Sequence, residues 1–300
     1  MVINHATLQS LRTAVRTELQ RGIESVEQLY TKVAMTIPST TLLNTYGWME
    51  GLPGVQEWIG QREFGNLKER AMQVQNKLWT SGISIKRTAI EDDNLGMYTP
   101  AINMLGSEAA EHPEILFWDV LENGFDATYG LAWDGQYFID ADHLTWDANG
   151  NETTFSNDGG GAGAAWFLAD LSRPVRPMIF QRRTEIELQV QDRPEQDSVF
   201  ELDEYRYATR ARYNVGYGLF QFIYGSKDTL NETNVVAGRT GLMSQHKPSG
   251  AKLRVQPNTI ICGPSNLQAA LEIAQAERKA NGETNVWRGR FQVIEVPYLT

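Results

Sequence analysis

The sequence predicts an α+β fold, and three observations carry that reading. Residues 4–34 and 94–123 place apolar side chains three and four apart, as in Leu8, Leu11, Val15 and Leu19 and again in Leu95, Tyr98, Ile102, Leu105 and Ala109. Residues 70–90, 186–190 and 205–224 read as extended chain, the second by clean alternation and the third by its tyrosines and phenylalanines. The end of the chain reads strand–helix–strand.

Taken in order, Gly22 is expected to interrupt the first helix, whose apolar face resumes at Val26, Leu29 and Val33. Ile37-Pro38 ends it, because a residue before proline avoids the helical region. Residues 44–60 form an irregular, aromatic connector. Residues 70–78 then read as a strand, Trp79-Thr80-Ser81-Gly82 as a turn, and 83–90 as a returning strand closed by Glu91-Asp92-Asp93-Asn94. An isolated hairpin is marginal in water, so such an arm needs another surface, and the natural one is a second copy of the chain. Next comes the helix from 94 to 123. Pro113 kinks it or starts a second helix, and Gly124 is its stop.

Residues 129–168 are rich in turns. Within them 136–139 reads as a short strand, 146–151 as a turn and Gly159–Gly163 as a glycine-rich surface loop. Strands follow at 165–168, 178–180 and 186–190, then 205–224. Residues 225–252 read as helical, then loose. Leu253-Arg254-Val255 leads to a strand at 259–262, a helix capped by Ser265 that carries Leu267, Ala270, Leu271 and Ala274, a stop at Gly282, and a last strand at 291–296.

Composition excludes several functions. The chain has 300 residues, 41% hydrophobic and 21% charged, which suits a soluble protein with one large core or two to three smaller ones. Its net charge of −10, with no run of Lys or Arg, argues against tracking a phosphate backbone. That charge also makes the tyrosines of 205–224 sheet packing and not base-stacking groups. Cys262, the one cysteine, sits in an apolar run and reads as a small buried side chain. The N-terminus lacks the features of a signal peptide, and no apolar run approaches a membrane span, so the protein is expected in the cytosol when made.

Chemistry is sparse. Asp140-Ala141-Asp142-His143 could hold a divalent ion for a metal-dependent hydrolase. The favoured reading is a polar turn whose carboxylates bond nearby N–H groups, because no second ligand cluster accompanies it. The glycine-rich loop lacks the Lys-Ser/Thr of a phosphate cradle. No catalytic residue, cofactor or metal is expected. The candidate residues are interaction residues instead. Arg70, Lys77, Trp79, Lys86 and Arg87 lie in the arm. Glu91, Asp92 and Asp93 lie at the helix mouth, where negative charge also suits the helix dipole. Arg173, Arg176, Arg182 and Arg183 form a basic cluster suited to inter-subunit salt bridges or to a solvated strand face.

Several short segments, in order along nearly the whole chain, resemble the Mu-like phage major head subunit family. They include Ala34-Met35-Thr36-Ile37-Pro38-Ser39-Thr40-Thr41, Tyr46-Gly47-Trp48, Glu57-Trp58-Ile59-Gly60 and Ile90-Glu91-Asp92-Asp93. Others are Ala110-Glu111-His112-Pro113, Asp134-Gly135-Gln136-Tyr137-Phe138 with Asp142-His143, and 165–183. The resemblance implies the tailed-phage major capsid fold. Its parts map to an N-terminal arm at 1–60, an extended hairpin loop at 61–93 and a peripheral domain at 94–224 with its spine helix at 94–123. An axial domain at 225–296 and a C-terminal return at 297–300 complete it, with a further aromatic strand expected beyond. The resemblance also implies self-assembly through hexamers and pentamers into an icosahedral shell around DNA held only by enclosure. The expected partners are scaffold, protease and portal proteins, with a decoration protein as another, and the expected location is the virion, after assembly in the host cytoplasm. A minor decoration or connector subunit is the other virion reading. Because the family is structural, Asp142-His143 reads as part of a turn.

Overall fold

The chain begins with a helix, α1 (His5–Glu24), then a single turn of helix, α2 (Tyr30–Val33), that leads into strand β1 (Ala34–Pro38). The structure is a computed structural model that describes residues 5–50, 68–92, 95–193, 196–279 and 282–299. Gly22 does not interrupt α1. The break falls after it, and Gly22 instead lets α1 press against a later helix.

Strands β2 (Leu43–Glu50) and β3 (Lys68–Gln75) pair antiparallel as a two-stranded ribbon. One residue, Asn76, separates β3 from β4 (Lys77–Lys86). The hairpin expected between 70–78 and 83–90 therefore does not form. Trp79-Thr80-Ser81-Gly82 lies in the middle of β4, which pairs along its length with a distant strand. Local turn residues suggested a reversal, but a long-range partner outweighs them. Residues 87–90 are helical, in α3 (Arg87–Glu91), and the long helix α4 (Leu95–Glu122) follows. α4 runs unbroken through Pro100 and Pro113.

Residues 136–139 form turns, not a strand, although Phe138 and Ile139 are buried. A hairpin of β5 (His143–Trp146) and β6 (Glu152–Phe155) closes on the expected turn, where the Asp147 carboxylate accepts the N–H groups of Asn149 and Asn151 and Gly150 has φ +81°. Next come β7 (Asp158–Gly161), β8 (Trp166–Ala169), β9 (Met178–Gln191), the short helix α5 (Asp197–Leu202) and β10 (Glu204–Tyr217). The chain ends with β11 (Ile223–Lys227), α6 (Glu232–Ser244), β12 (Thr259–Cys262), α7 (Leu267–Ala274) and β13 (Gln292–Glu295).

These strands build two main sheets, in the orders β1-β9-β10-β4 and β13-β12-β8-β11-β7. The strand run expected over 205–224 is cut at 218–222, and β10 and β11 belong to different sheets. Position 224/225 lies within β11, and β7 and β8 join the sheet of the later strands. The glycines of 159–163 are not a free loop. Gly159 lies under Tyr224, where an added Cβ would meet the phenol oxygen at 2.1 Å, and Gly161 (φ +93°) sits as close to the backbone of Asp228.

One core joins the sheets. Phe117, Trp118 and Leu121 of α4 cluster with Phe180 and Tyr217 of the first sheet and with Phe167, Ile261 and Ile294 of the second. The opposite face of the second sheet buries Trp166, Leu168, Ile260 and Cys262 with α6 and α7. Alternate residues on β8 and β12 thus serve two cores, which is why 165–169 and 259–262 read as unbroken apolar runs. A third cluster places Leu11, Val15 and Leu19 of α1 against Ile102 and Leu105 of α4 and Tyr205 and Tyr207 of β10.

Candidate assembly surfaces

The ribbon is held at its root by Asn76. Its side-chain amide donates to the Ser39 hydroxyl and the Thr41 carbonyl, each at 2.8 Å, and its backbone N–H donates to Leu42 O at 2.9 Å. Ser39 in turn donates its N–H to Arg182 O. The chain therefore leaves the first sheet at one edge strand, β1, and returns to it at the other, β4. Between them β3 crosses the sheet face opposite the helices. Val74 lies over Gly216, where a Cβ would come within 2.4 Å of it, and Gln181 and Asn214 donate to Val74 O and Gln75 O. Beyond this anchored root the ribbon consists of two strands with no third neighbour among the described residues.

On the other face α4 lies along the sheet. His112 Nδ1 bonds the Tyr213 hydroxyl at 2.8 Å, and its ring packs at a tilt against Trp79, whose indole N–H donates to Tyr213 O. Burial pushes the His112 pKa down, favouring the neutral ring. Two residues on, buried Glu114 accepts the Tyr30 N–H at 3.1 Å and the Trp118 indole N–H at 2.6 Å. It fastens α2 to α4, and burial raises its pKa despite those donors. Tyr298 donates to Glu111 at 2.8 Å, so residues 297–299 pack back onto α4.

The Asp-x-Asp-His segment is a structural turn that ends in a buried histidine. Asp140 accepts the N–H groups of Tyr137 and Ala141. The His143 side chain is fully buried, bonds Asp134 at 2.7 Å, faces Phe138 O at 3.3 Å and stacks on Phe220 at 3.7 Å. Both ring nitrogens are occupied, Asp142 is exposed, and no metal-ligand cluster forms among the described residues. Asp134, nine residues upstream, is the partner that spacing did not reveal.

The basic cluster divides. Arg173 donates to Leu253 O and Arg254 O and meets Asp170, and Arg176 donates to Lys32 O and Leu171 O. These two tie segments of their own subunit together. Arg182 is exposed beside Glu185, and Arg183 is half-buried. Lys77, Lys86 and Asp92 are exposed, and Arg87 is half-buried where its N–H meets Asp203 O. Trp79 is largely spent on His112 and Tyr213. The side chains of Arg70 and Glu91, and the whole of Asp93, lie outside the described residues.

The geometry is that of a mixed subunit with an outstretched ribbon and a long helix, and with no assembled catalytic cluster among the described residues. Residues 8–299 match the family model described as Mu-like prophage major head subunit gpT. The chain belongs to that family. The major capsid protein of Escherichia phage Mu is 32% identical over 308 residues, with both chains covered in full. A chain of the bacteriophage JBD30 procapsid superposes with a TM-score of 0.84 at 36% identity, covering 99% of this chain and 100% of that one. A chain of the JBD30 capsid decorated with minor capsid protein trimers gives 0.78 at 28% identity, covering 92% of each.

The head subunit family thus confirms the tailed-phage major capsid fold and makes this chain a structural virion protein, not an enzyme. Nothing supports the hydrolase or the minor-protein reading.

Proposed function

We propose that this head subunit builds an icosahedral shell through hexamers and pentamers, and that the β2–β3 ribbon is the part that one copy lays on the next. The observation that carries this is the ribbon itself: its root is buried and bonded through Met72, Val74 and Asn76, while β2 and β3 have no third strand beside them among the described residues. Exposed strand edges of that length invite pairing with another chain. A ribbon on one side and a receiving helix on the other make a head-to-tail contact, which closes into rings. In this reading α4 is the spine helix, the sheet of β1, β4, β9 and β10 belongs to the peripheral domain, and the sheet carrying α6 and α7 belongs to the axial domain. Lys77, Lys86, Asp92 and Arg182 are exposed and available to neighbours. Scaffold, protease and portal proteins in the host cytoplasm complete assembly, and a decoration protein follows from the JBD30 relative.

The test is a shortened ribbon. Trp48 and Arg70 face each other in register, so residues 49–69 can be replaced by Asn-Gly, a two-residue hairpin turn. The root stays intact. The expected product is a folded subunit with the wild-type melting temperature that forms no shells in negative-stain images. Normal shells from this variant would refute the role given to the ribbon. A deletion of 70–90 is unsuited, because it removes β4 and Ile85 from the sheet and core.

A further inference from the structure

The most exposed large apolar side chain among the described residues is Phe200, at 84%, and Leu202 beside it is 54% exposed. Both belong to α5, at the tip of the long β9–β10 hairpin. The exposure is not slackness. Ser198 and Val199 on the same turn are buried, Val199 with Tyr205, Tyr207 and α1. Gln196 accepts the Arg193 N–H, and Asp203, in the left-handed region at φ 52°, closes α5 through its N–H to Ser198 O. Its own carbonyl accepts from Arg87. Arg12 of α1 pairs with fully buried Asp192 where β9 ends. The tip is thus held from two sides while it presents Phe200 and Leu202 outward.

We propose that this tip is a contact between copies of the chain, with Phe200 as its anchor. The inference rests on the shell-building reading. An apolar pair on a rigid mount has the character of an interface centre, where aromatic anchors dominate. Charge selects the occupant. A copy with net charge −10 repels its like, so two copies meet most readily where each offers both signs. The tip does so: Glu201 and Asp203 are exposed within a few residues of exposed Arg193 and Arg206. The site is separate from the ribbon and from the His112–Trp79 contact, and none of the residues first singled out as interaction residues belongs to it.

The experiment is thiol labelling of Phe200→Cys. The native thiol, Cys262, is buried with its pKa pushed up to about 11, so it stays silent to a maleimide. Shells are assembled from the variant with excess wild-type subunit, so that loss of one anchor does not prevent assembly. Leu202→Cys serves as a second probe. The expected result is fast labelling in the unassembled subunit and labelling slower by about tenfold or more in bare shells of this chain alone. Equal rates in both would overturn the proposal while leaving the shell-building reading intact. Protection that appears only after a decoration protein is added would overturn it too, assigning the tip to that partner. Failure of the wild-type chain to form shells would count against the shell-building reading itself.

Discussion

Glu114 and His143 show how single residues in this subunit hide behind their spacing. Both are polar and buried, and each is satisfied by a group far enough away that no motif announces it: Glu114 by the N–H of Tyr30, His143 by Asp134. Glu114 also has a measurable signature. Burial raises its pKa above the ordinary 4.5. A carboxyl that holds its proton more tightly when folded favours the fold below the unfolded pKa. That contribution is lost as pH rises through the folded value. Glu114→Gln, always neutral, removes this dependence. Urea unfolding of both proteins from pH 4 to 8 is expected to show wild type losing ground to the variant as pH rises. A constant difference would show that Glu114 does not titrate in this way. For His143, the sequence offered a choice between metal ligand and turn. Residue chemistry alone favoured the turn, and the stacked, doubly occupied ring decides it.

At the scale of elements, α1 and α4 cross at a point where both carry glycine. A Cβ on Gly22 would stand 2.0 Å from Asn103 O, and one on Gly106 would stand 2.2 Å from Leu19 O. Each glycine lets one backbone approach the other, and Asn103 donates across the gap to Glu18 O. Gly22→Ala is therefore expected to destabilise the subunit by about 1–3 kcal/mol through forced separation of the helices, although alanine is the better helix former. Chemical denaturation measures it, and a gain in stability would mean the crossing is looser than described. The sequence located both helices from their 3.6-residue pattern. It misassigned Gly22 as a break because a glycine inside a helix looks the same whether it ends the helix or admits a neighbour. The ribbon and β4 failed for a related reason. An eight-residue and a ten-residue strand joined by one asparagine contain turn-forming residues in the wrong place, and only their partners, β2 and β10, show where each belongs.

At the scale of the molecule, the core around α4 is shared by both sheets, so the subunit is expected to unfold as a unit. Phe117→Ala empties a fully buried site between them. It is expected to cost about 3–5 kcal/mol and to lower one cooperative transition, seen identically by far-UV and near-UV circular dichroism. Two separated transitions would show that the sheets fold independently. Phe200 and Leu202 of the α5 tip stand outside this core, consistent with a surface whose stabilisation comes from neighbours.

The sequence by itself determined the elements and the family. Helical periodicity, alternation and apolar runs are local properties, and they placed both long helices, the tyrosine-rich strand and the final strand–helix–strand. Short segments in a fixed order identified the head subunit resemblance. Tertiary structure alone decided which strands share a sheet, that β7 and β8 side with the later strands, and that Asn76 is a pivot between two sheets of partners. It also decided that Arg173 and Arg176 serve their own subunit, and that Phe200 faces outward. All of these depend on pairings between residues distant in sequence, and a periodic pattern records which face of an element is buried but not what buries it.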